Sequence, residues 1–145
     1  MQPGWIFQGS PYLITYPEIL QQGLFGFIYR IDNRLNERIY YGKRCFHTTR
    51  KKRGRGFNYR GTWQSDWMQY WGSSDELKTD IIKYGGDQFI RTILTVHRSK
   101  HALTYAEEEI LFLNNVLRAK LPNGMYKYYN ANIGARYFRN TWDDK

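Results

Sequence analysis

The sequence predicts one α+β domain with a small, mainly antiparallel sheet of three strands flanked by helices. Two short runs rich in isoleucine, phenylalanine and tyrosine, residues 25–31 and 38–43, flank the polar segment DNRLNE, as expected for an antiparallel hairpin. A third run, FIRTILTVH at residues 89–97, alternates its side chains as a strand does. A chain of 145 residues can bury one hydrophobic core of useful size.

Two further segments have the pattern of helices. Ser73 and Glu76 have the spacing of a capping box, Leu77, Ile81 and Ile82 follow at helical spacing, and Gly85 and Gly86 supply the stop. The segment TYAEEEILFLNNVL, residues 104–117, predicts a second helix. Its candidate core contacts are Tyr105, Ile110, Leu111, Leu113, Val116 and Leu117.

Three regions flank or interrupt these elements. Residues 1–24 carry three prolines, which predicts an irregular arm packed on the domain with a short turn of helix near 17–22. The domain itself is expected over residues 25–134, followed by an aromatic tail at 135–145. Residues 43–60 contain two glycines and eight cations but no acid, which is typical of a loop. These cations are Lys43, Arg44, Arg50, Lys51, Lys52, Arg53, Arg55 and Arg60.

The composition limits the partners. A net charge of +9 and 18% aromatic residues indicate a polyanionic partner, either nucleic acid or an anionic membrane surface. No run of 18 apolar residues and no signal-peptide pattern occurs, so we expect no membrane span. Cys45 is the one cysteine, which excludes an internal disulfide and a cysteine zinc cluster and predicts a cytoplasmic location.

Phosphodiester chemistry could be assembled from these residues. The hairpin brings Tyr29 and Tyr40 onto neighbouring strands, and a nearby cation would favour the anion of a phenol that is otherwise a poor base. The basic segment supplies guanidinium groups, which can bind two phosphate oxygens at once. The glutamates at residues 107–109 offer a carboxylate for a divalent cation. Each feature also has a structural explanation, because paired tyrosines pack, basic segments are often only solvated, and glutamates on a helix are usually exposed.

The order of motifs resembles the GIY-YIG nuclease family over about residues 25–134. Phe27-Ile28-Tyr29 stands for the first motif and Tyr40-Tyr41-Gly42 for the second, followed by the basic segment, a helix, a strand, a glutamate-bearing helix and a late asparagine. The stretches GFIY, YGK, SDW and YWGSS are similar to those of phage-encoded freestanding members. Phe27 departs from the family's glycine, and the basic segment is longer than in the smallest members.

The resemblance implies a DNA endonuclease that hydrolyses phosphodiester bonds with one Mg²⁺ (or Mn²⁺). It makes Tyr29 a base or water-positioning phenol with Tyr40 as its partner, and Gly42 the residue at which the backbone turns away. The metal-binding glutamate is first Glu107, because Leu103, Ile110 and Leu111 put it on an apolar-flanked face; Glu109 is second and Glu108 third. The catalytic cation is Arg50 by spacing, with Lys43 and Arg44 as competitors, and the site-supporting amide is Asn130 before Asn132.

The expected partner is double-stranded DNA, and a double-strand break would need a homodimer, a protein partner or two encounters. If the chain is phage-encoded, it acts in the host cytoplasm, in homing, packaging or other DNA processing. Two alternatives stay open: a catalytically inactive nucleic-acid-binding module, and a phage accessory or inhibitor protein that docks by its aromatic surface. Trp63, Trp67 and Trp71 are expected to form a core stripe rather than a base-stacking platform.

Overall fold

The computed structural model describes residues 4–54 and 57–139, except for the side chains of residues 50–61. It is an α+β fold with a mixed five-stranded sheet and three α-helices. In chain order the elements are β1 (Trp5–Phe7), β2 (Ser10–Pro11), α1 (Tyr16–Gln21), β3 (Gly26–Asn33), β4 (Ile39–Cys45), β5 (His47–Gly54), β6 (Phe57–Gln64), α2 (Asp75–Tyr84), β7 (Phe89–His97), α3 (Lys100–Leu113), β8 (Asn132–Ile133) and β9 (Tyr137–Phe138). Two 3₁₀ turns lie at Trp67–Gln69 and Gly86–Gln88.

The main sheet has the strand order β2-β1-β7-β3-β4. The three predicted strands are β3, β4 and β7, which pair antiparallel at one side of the sheet. The prediction of only three strands is wrong, because β1 pairs parallel to β7 and β2 pairs antiparallel to β1. β4 lies at the free edge of this order, and that edge carries the candidate site described below.

The N-terminal segment is more regular than predicted. Trp5 on β1 is buried, and its partner in the sheet register is Arg91 on β7. Helix α1 begins with a capping box in which the Thr15 and Glu18 side chains each bond the other residue's backbone N–H. A strand of three residues carries too little periodicity to stand out from the sequence alone, which explains why the prolines suggested an irregular arm.

The basic segment is a hairpin, so the prediction of a loop is wrong for the described residues. β5 and β6 pair antiparallel as a separate two-stranded sheet, with Thr48 opposite Trp63 and Gly54 opposite Phe57. Threonine, phenylalanine, tyrosine and tryptophan in both arms favour strands. Residues 55–56 lie outside the described residues.

The two long helices lie where they were predicted, with shifted bounds. The predicted end of the second at residue 117 is wrong, because Asn114 caps α3 and the helix stops at Leu113. α2 is capped by Ser74 rather than Ser73: the Ser74 hydroxyl accepts from the backbone N–H of Leu77 at 3.2 Å. Gly85, with φ of 89°, ends this helix as expected. α3 starts four residues early, because Ser99 caps it by accepting from the N–H of Ala102 at 3.1 Å.

Hydrophobic clusters cover both faces of the main sheet. One cluster contains Phe27, Tyr29, Phe46 and Trp67, and the other joins β4 to α3 and the segment that follows it. Of the predicted tryptophan stripe, Trp67 is buried in the core, Trp71 packs against the same cluster while partly exposed, and Trp63 is partly exposed. Some of the helix contacts predicted to be in the core are instead exposed, namely Ile82, Tyr105 and Leu113. None of the described helices has the length and apolar character needed to cross a bilayer.

Candidate functional site

A cleft of about 670 Å³ opens along the free edge of β4. Its walls come from the edge strand, the start of α2, the inner side of α3 and the chain between residues 129 and 139. The polar side chains in these walls belong to Tyr40, Tyr41, Ser73, Ser74, Asp75, Glu76, Glu107, Tyr129, Asn130, Asn132 and Arg139. A concave site lined by several convergent polar groups is the usual form of an active or binding site.

The cleft opens where the pairing of the edge strand ends. The Ile39 N–H donates to the carbonyl of Lys127 at 3.0 Å, and the Tyr129 N–H donates to the carbonyl of Ile39 at 2.8 Å. At Tyr41 a side chain replaces the strand: the Asn130 amide accepts from the Tyr41 N–H at 3.1 Å and donates to its carbonyl at 2.7 Å. Asn130 is buried, and its side chain satisfies the outward-facing backbone groups of Tyr41 that a further strand would otherwise bond.

Tyr29 lies across Gly42, its partner in the sheet register. A Cβ built on Gly42 would lie 2.5 Å from Cζ of Tyr29, so no larger residue fits beneath the ring. The backbone does not turn away at Gly42 as expected, since β4 continues to Cys45. The glycine instead lets the hydroxyl end of Tyr29 reach the edge strand beside the cleft.

Tyr40 and Tyr70 surround Tyr29 with two further rings. The Tyr29 and Tyr40 ring centroids are 6.1 Å apart, and Tyr70 meets Tyr29 edge-on at 6.0 Å and is hydrogen-bonded to it. The Tyr40 hydroxyl lies 3.0 Å from Oγ of Ser73. The proximity of Tyr29 and Tyr40 was expected from the hairpin, whereas that of Tyr70 was not, because nothing in the local pattern of residues 65–72 shows which ring turns inward.

The pKa values of the two phenols are shifted in the direction opposite to the one expected. Burial raises the pKa of Tyr29 well above its ordinary value, and the neighbouring Tyr40, Tyr70 and Glu107 add to the shift. Burial also raises the pKa of Tyr40, although the hydrogen bond from Ser73 opposes the shift. The expectation that nearby cations favour a phenolate is therefore wrong for this structure, and both hydroxyls carry their protons at neutral pH.

Glu107 is the helix acid that faces the cleft. Its side chain is 19% exposed, whereas Glu108 and Glu109 are exposed residues. Lys43 Nζ lies 3.7 Å from Oε1 of Glu107 and donates to the Thr104 hydroxyl at 3.2 Å. Burial raises the pKa of Glu107, and the charge of Lys43 opposes that rise.

The edge position explains how groups from opposite faces of the sheet meet. Tyr40 and Gly42 point to one face, and Tyr41 and Lys43 point to the other, where α3 packs, because side chains alternate along a strand. Tyr40 and Glu107 nevertheless line one cleft, since an edge strand leaves both faces accessible at the same rim.

The candidate cations are distributed unevenly. Arg44 pairs with Asp66, and its guanidinium lies 4.1 Å from the centre of the Tyr70 ring. Arg50 lies on β5, opposite Gly61, and its side chain is outside the described residues. The same holds for the side chains of Lys51, Lys52, Arg53 and Arg60 and for all of Arg55. Among the predicted cations with described side chains, Lys43 is the one that contacts Glu107.

The donor set suits a weakly ligated divalent cation. Within residues 4–54 and 57–139 no three histidine, cysteine or acidic side chains are grouped so that they could enclose a metal. Mg²⁺ does not need such a cage, since it commonly takes one or two carboxylates and completes its shell with water and substrate phosphate. Glu107 fits this mode, because its half-buried carboxylate faces the cleft with only a 3.7 Å cationic partner.

An ion-pair cluster forms the opposite wall of the cleft and was missed from the sequence. The guanidinium of Arg38 is buried and donates to Oε1 of Glu76 at 3.0 Å, and Arg139 lies 3.9 Å from the same oxygen. Arg139 also donates to the carbonyl of Tyr128 at 2.6 Å. These residues are up to 101 positions apart in the chain, so no local pattern could have connected them.

The α+β fold with its mixed sheet is consistent with a GIY-YIG domain, and the comparison with known families identifies the class of protein. The family described as "Putative endonuclease segE, GIY-YIG domain" matches residues 5–133. The chain belongs to this family, which confirms the resemblance stated above. GIY-YIG nucleases generally depend on a divalent metal, and a nuclease domain implies a DNA substrate. Searches of curated proteins and of solved structures gave no match.

Proposed function

We propose that this protein is a Mg²⁺-dependent DNA endonuclease of the phage GIY-YIG type, which hydrolyses phosphodiester bonds at the β4 edge. The observation that supports this most strongly is the convergence of Tyr40, Glu107 and Asn130 on one cleft. Tyr29 and Lys43 lie beside that cleft. Packing of a hydrophobic core alone does not require an acid from α3 to face this rim.

Glu107 holds the divalent cation in this proposal, with Mn²⁺ as a substitute for Mg²⁺. An ion held there would supply Lewis acidity for the scissile phosphate and would offset charge on the leaving oxygen. Lys43 is 3.7 Å from the carboxylate, and its charge opposes the rise that burial causes in the pKa of Glu107, which favours the ionised form before the ion binds. Thr104 accepts from Lys43 and fixes the direction of the ammonium group.

Tyr29 and Tyr40 orient the attacking water by hydrogen bonds rather than as phenolates. Tyrosine hydroxyls are protonated at neutral pH, and burial disfavours the phenolate of both residues further, so each can donate to an oxygen and accept from a water. Tyr70 and Ser73 hold the two hydroxyls in place. Lys43 or Arg50 stabilises the negative charge that develops on the phosphate, as positioned donors do in other phosphoryl-transfer sites.

The basic hairpin formed by β5 and β6 binds the DNA backbone. Residues 43–60 carry eight cations and no acid, and phosphate contacts release counterions. Binding should therefore weaken steeply as salt increases. Arg44 contributes less than its neighbours, because Asp66 already pairs with it.

The test is incubation of supercoiled plasmid with the purified chain in Mg²⁺ or in EDTA, followed by gel separation of supercoiled, nicked and linear forms. We expect nicked product with Mg²⁺ and none with EDTA. Salt-sensitive binding of duplex DNA without cleavage in Mg²⁺ or Mn²⁺ would contradict the proposal and favour a catalytically inactive binding module. Salt-insensitive association with a protein, and no DNA binding, would favour the accessory or inhibitor role.

A further inference from the structure

A second concavity, of about 660 Å³, lies at the other end of β4 from the basic hairpin. None of the described residues that are proposed above to act in cleavage or in DNA binding lines it. Four of its lining residues are cations, Arg30, Arg34, Lys120 and Lys127, and two are acids, Asp32 and Glu37. Arg30 is neutralised by Asp32, which accepts from Nε at 2.9 Å and from Nη2 at 2.7 Å.

The remaining cations are free of such pairing. Within the part of the chain that the structure describes, Arg34, Lys120 and Lys127 have no ion-pair partner. The two lysines are held over aromatic rings instead, with Nζ of Lys120 5.2 Å from the centre of Tyr126 and Nζ of Lys127 5.6 Å from the centre of Tyr128. Three cations that face one hollow, against the single free acid Glu37, leave it with a positive balance.

The sequence shows the same bias over a longer range. Between Glu109 and Asp143 the chain contains no acid, while it contains the cations Arg118, Lys120, Lys127, Arg136 and Arg139. Clustered positive charge without acids is the electrostatic footprint expected of a surface that meets nucleic acid. This second run of cations is more widely spaced than the basic segment at 43–60 and does not stand out in the sequence as that segment does.

The second concavity and the cleft share a wall. The segment beside β4 contributes Lys127 to the concavity and Tyr129 and Asn130 to the cleft. On the edge strand itself, Ile39 lines the concavity and the next residue, Tyr40, lines the cleft, so the two hollows adjoin.

We propose that the second concavity binds the backbone of the DNA being cut, next to the cleft and on the side opposite the basic hairpin. This rests on the proposed nuclease function for the position of the scissile phosphate. Lys120, Lys127 and Arg34 make the phosphate contacts. The duplex is then held on both sides of the cleft, which fixes its register relative to Glu107.

The experiment compares wild type with the double variant Lys120→Ala/Lys127→Ala in EDTA, where binding is measured apart from cleavage. Fluorescence anisotropy with a labelled duplex gives Kd over a range of NaCl concentrations. Each lost phosphate contact lowers the slope of log Kd against log salt by about 0.9, so we expect a decrease of about 1.8. Lys83→Ala is the matched control, because Lys83 also lies over a tyrosine, with Nζ 5.0 Å from the centre of the Tyr84 ring. It should leave the slope unchanged.

The outcomes separate this proposal from the nuclease proposal. A wild-type slope in the double variant overturns the proposed DNA binding by the second concavity, even if the protein cleaves DNA. A reduced slope together with no cleavage in Mg²⁺ supports the concavity as a DNA-binding surface and contradicts the nuclease function alone. Absence of DNA binding by wild type overturns both. Equal thermal unfolding midpoints of wild type and the double variant exclude misfolding as the cause.

Discussion

Lys43 Nζ lies 3.7 Å from Oε1 of Glu107, joining the edge strand to the third helix at the rim of the cleft. The two residues are 64 positions apart in the chain, and they meet because β4 and α3 pack against each other. Burial raises the pKa of the Glu107 carboxyl, and the ammonium group acts against that rise. In the proposed mechanism the pair therefore sets the pH range in which Glu107 can take a cation.

Lys43→Met should move the acidic limb of the pH–rate profile to higher pH. Without the lysine, burial acts unopposed, the pKa of Glu107 rises further, and less carboxylate is available at a given pH. The profile of single-turnover DNA cleavage in Mg²⁺ measures this shift. Lys78→Met, an exposed lysine on α2, is the control and should keep the wild-type limb. A lower rate with an unmoved limb would show that Lys43 does not act through Glu107.

Gly42→Ala should destabilise the fold and abolish cleavage. The added methyl group would overlap the Tyr29 ring, which is 1% exposed and has little space in which to move. Overpacking of this kind costs about 1–3 kcal/mol, measurable by urea unfolding. Gly4→Ala is the control, since nothing lies within 4 Å of its added Cβ. Equal stability of the two variants would mean that Tyr29 does not lie across Gly42.

Asn130→Ala should cost more stability than Asn132→Ala. The first change leaves the buried N–H and carbonyl of Tyr41 without partners, at a cost of about 1–3 kcal/mol. The second removes one exposed hydrogen bond to the N–H of Ala135. Chemical denaturation of both variants gives the comparison. A larger loss for Asn132→Ala would contradict the assignment of Asn130 as the residue that completes the edge strand.

The Tyr29 phenol should ionise above its ordinary pKa of 10.0. Burial disfavours the phenolate, and the neighbouring tyrosines and Glu107 add to the effect. The difference between the ultraviolet titration curves of wild type and Tyr29→Phe isolates this one group. Tyr105→Phe supplies the comparison with an exposed phenol, since Tyr105 is 71% exposed. A difference curve with a midpoint near neutral pH would restore the phenolate base expected from the sequence.

The features read correctly from the sequence are those encoded locally. The alternation in residues 89–97 defined β7 to the residue, and the apolar neighbours of Glu107 indicated the face of α3 on which it lies. The start of α2 could not be fixed from the sequence, because Ser73 and Ser74 can both cap a helix. Only the fold shows that the Ser73 hydroxyl is hydrogen-bonded to Tyr40, which leaves Ser74 as the cap. Adjacent candidates of equal chemistry cannot be separated by spacing.

The features that were missed depend on contacts across the chain. β1 is a strand because β7 is beside it, and the Arg38–Glu76–Arg139 cluster exists only once the cleft has formed. The phenol electrostatics were misjudged for the same reason. Proximity of cations in sequence predicted a lowered pKa, whereas burial among Trp5, Phe27 and Tyr70 determines the actual shift.

The most direct test of the central claim is the single-turnover rate of plasmid nicking in Mg²⁺ by wild type, Glu107→Gln and Glu109→Gln, each shown to be folded. Glu107→Gln keeps the shape of the side chain and removes the charge that holds the cation, so its rate should fall by about 100-fold or more. Glu109→Gln should cut at the wild-type rate, because Glu109 is an exposed residue and does not line the cleft. Undiminished nicking by Glu107→Gln would contradict the account.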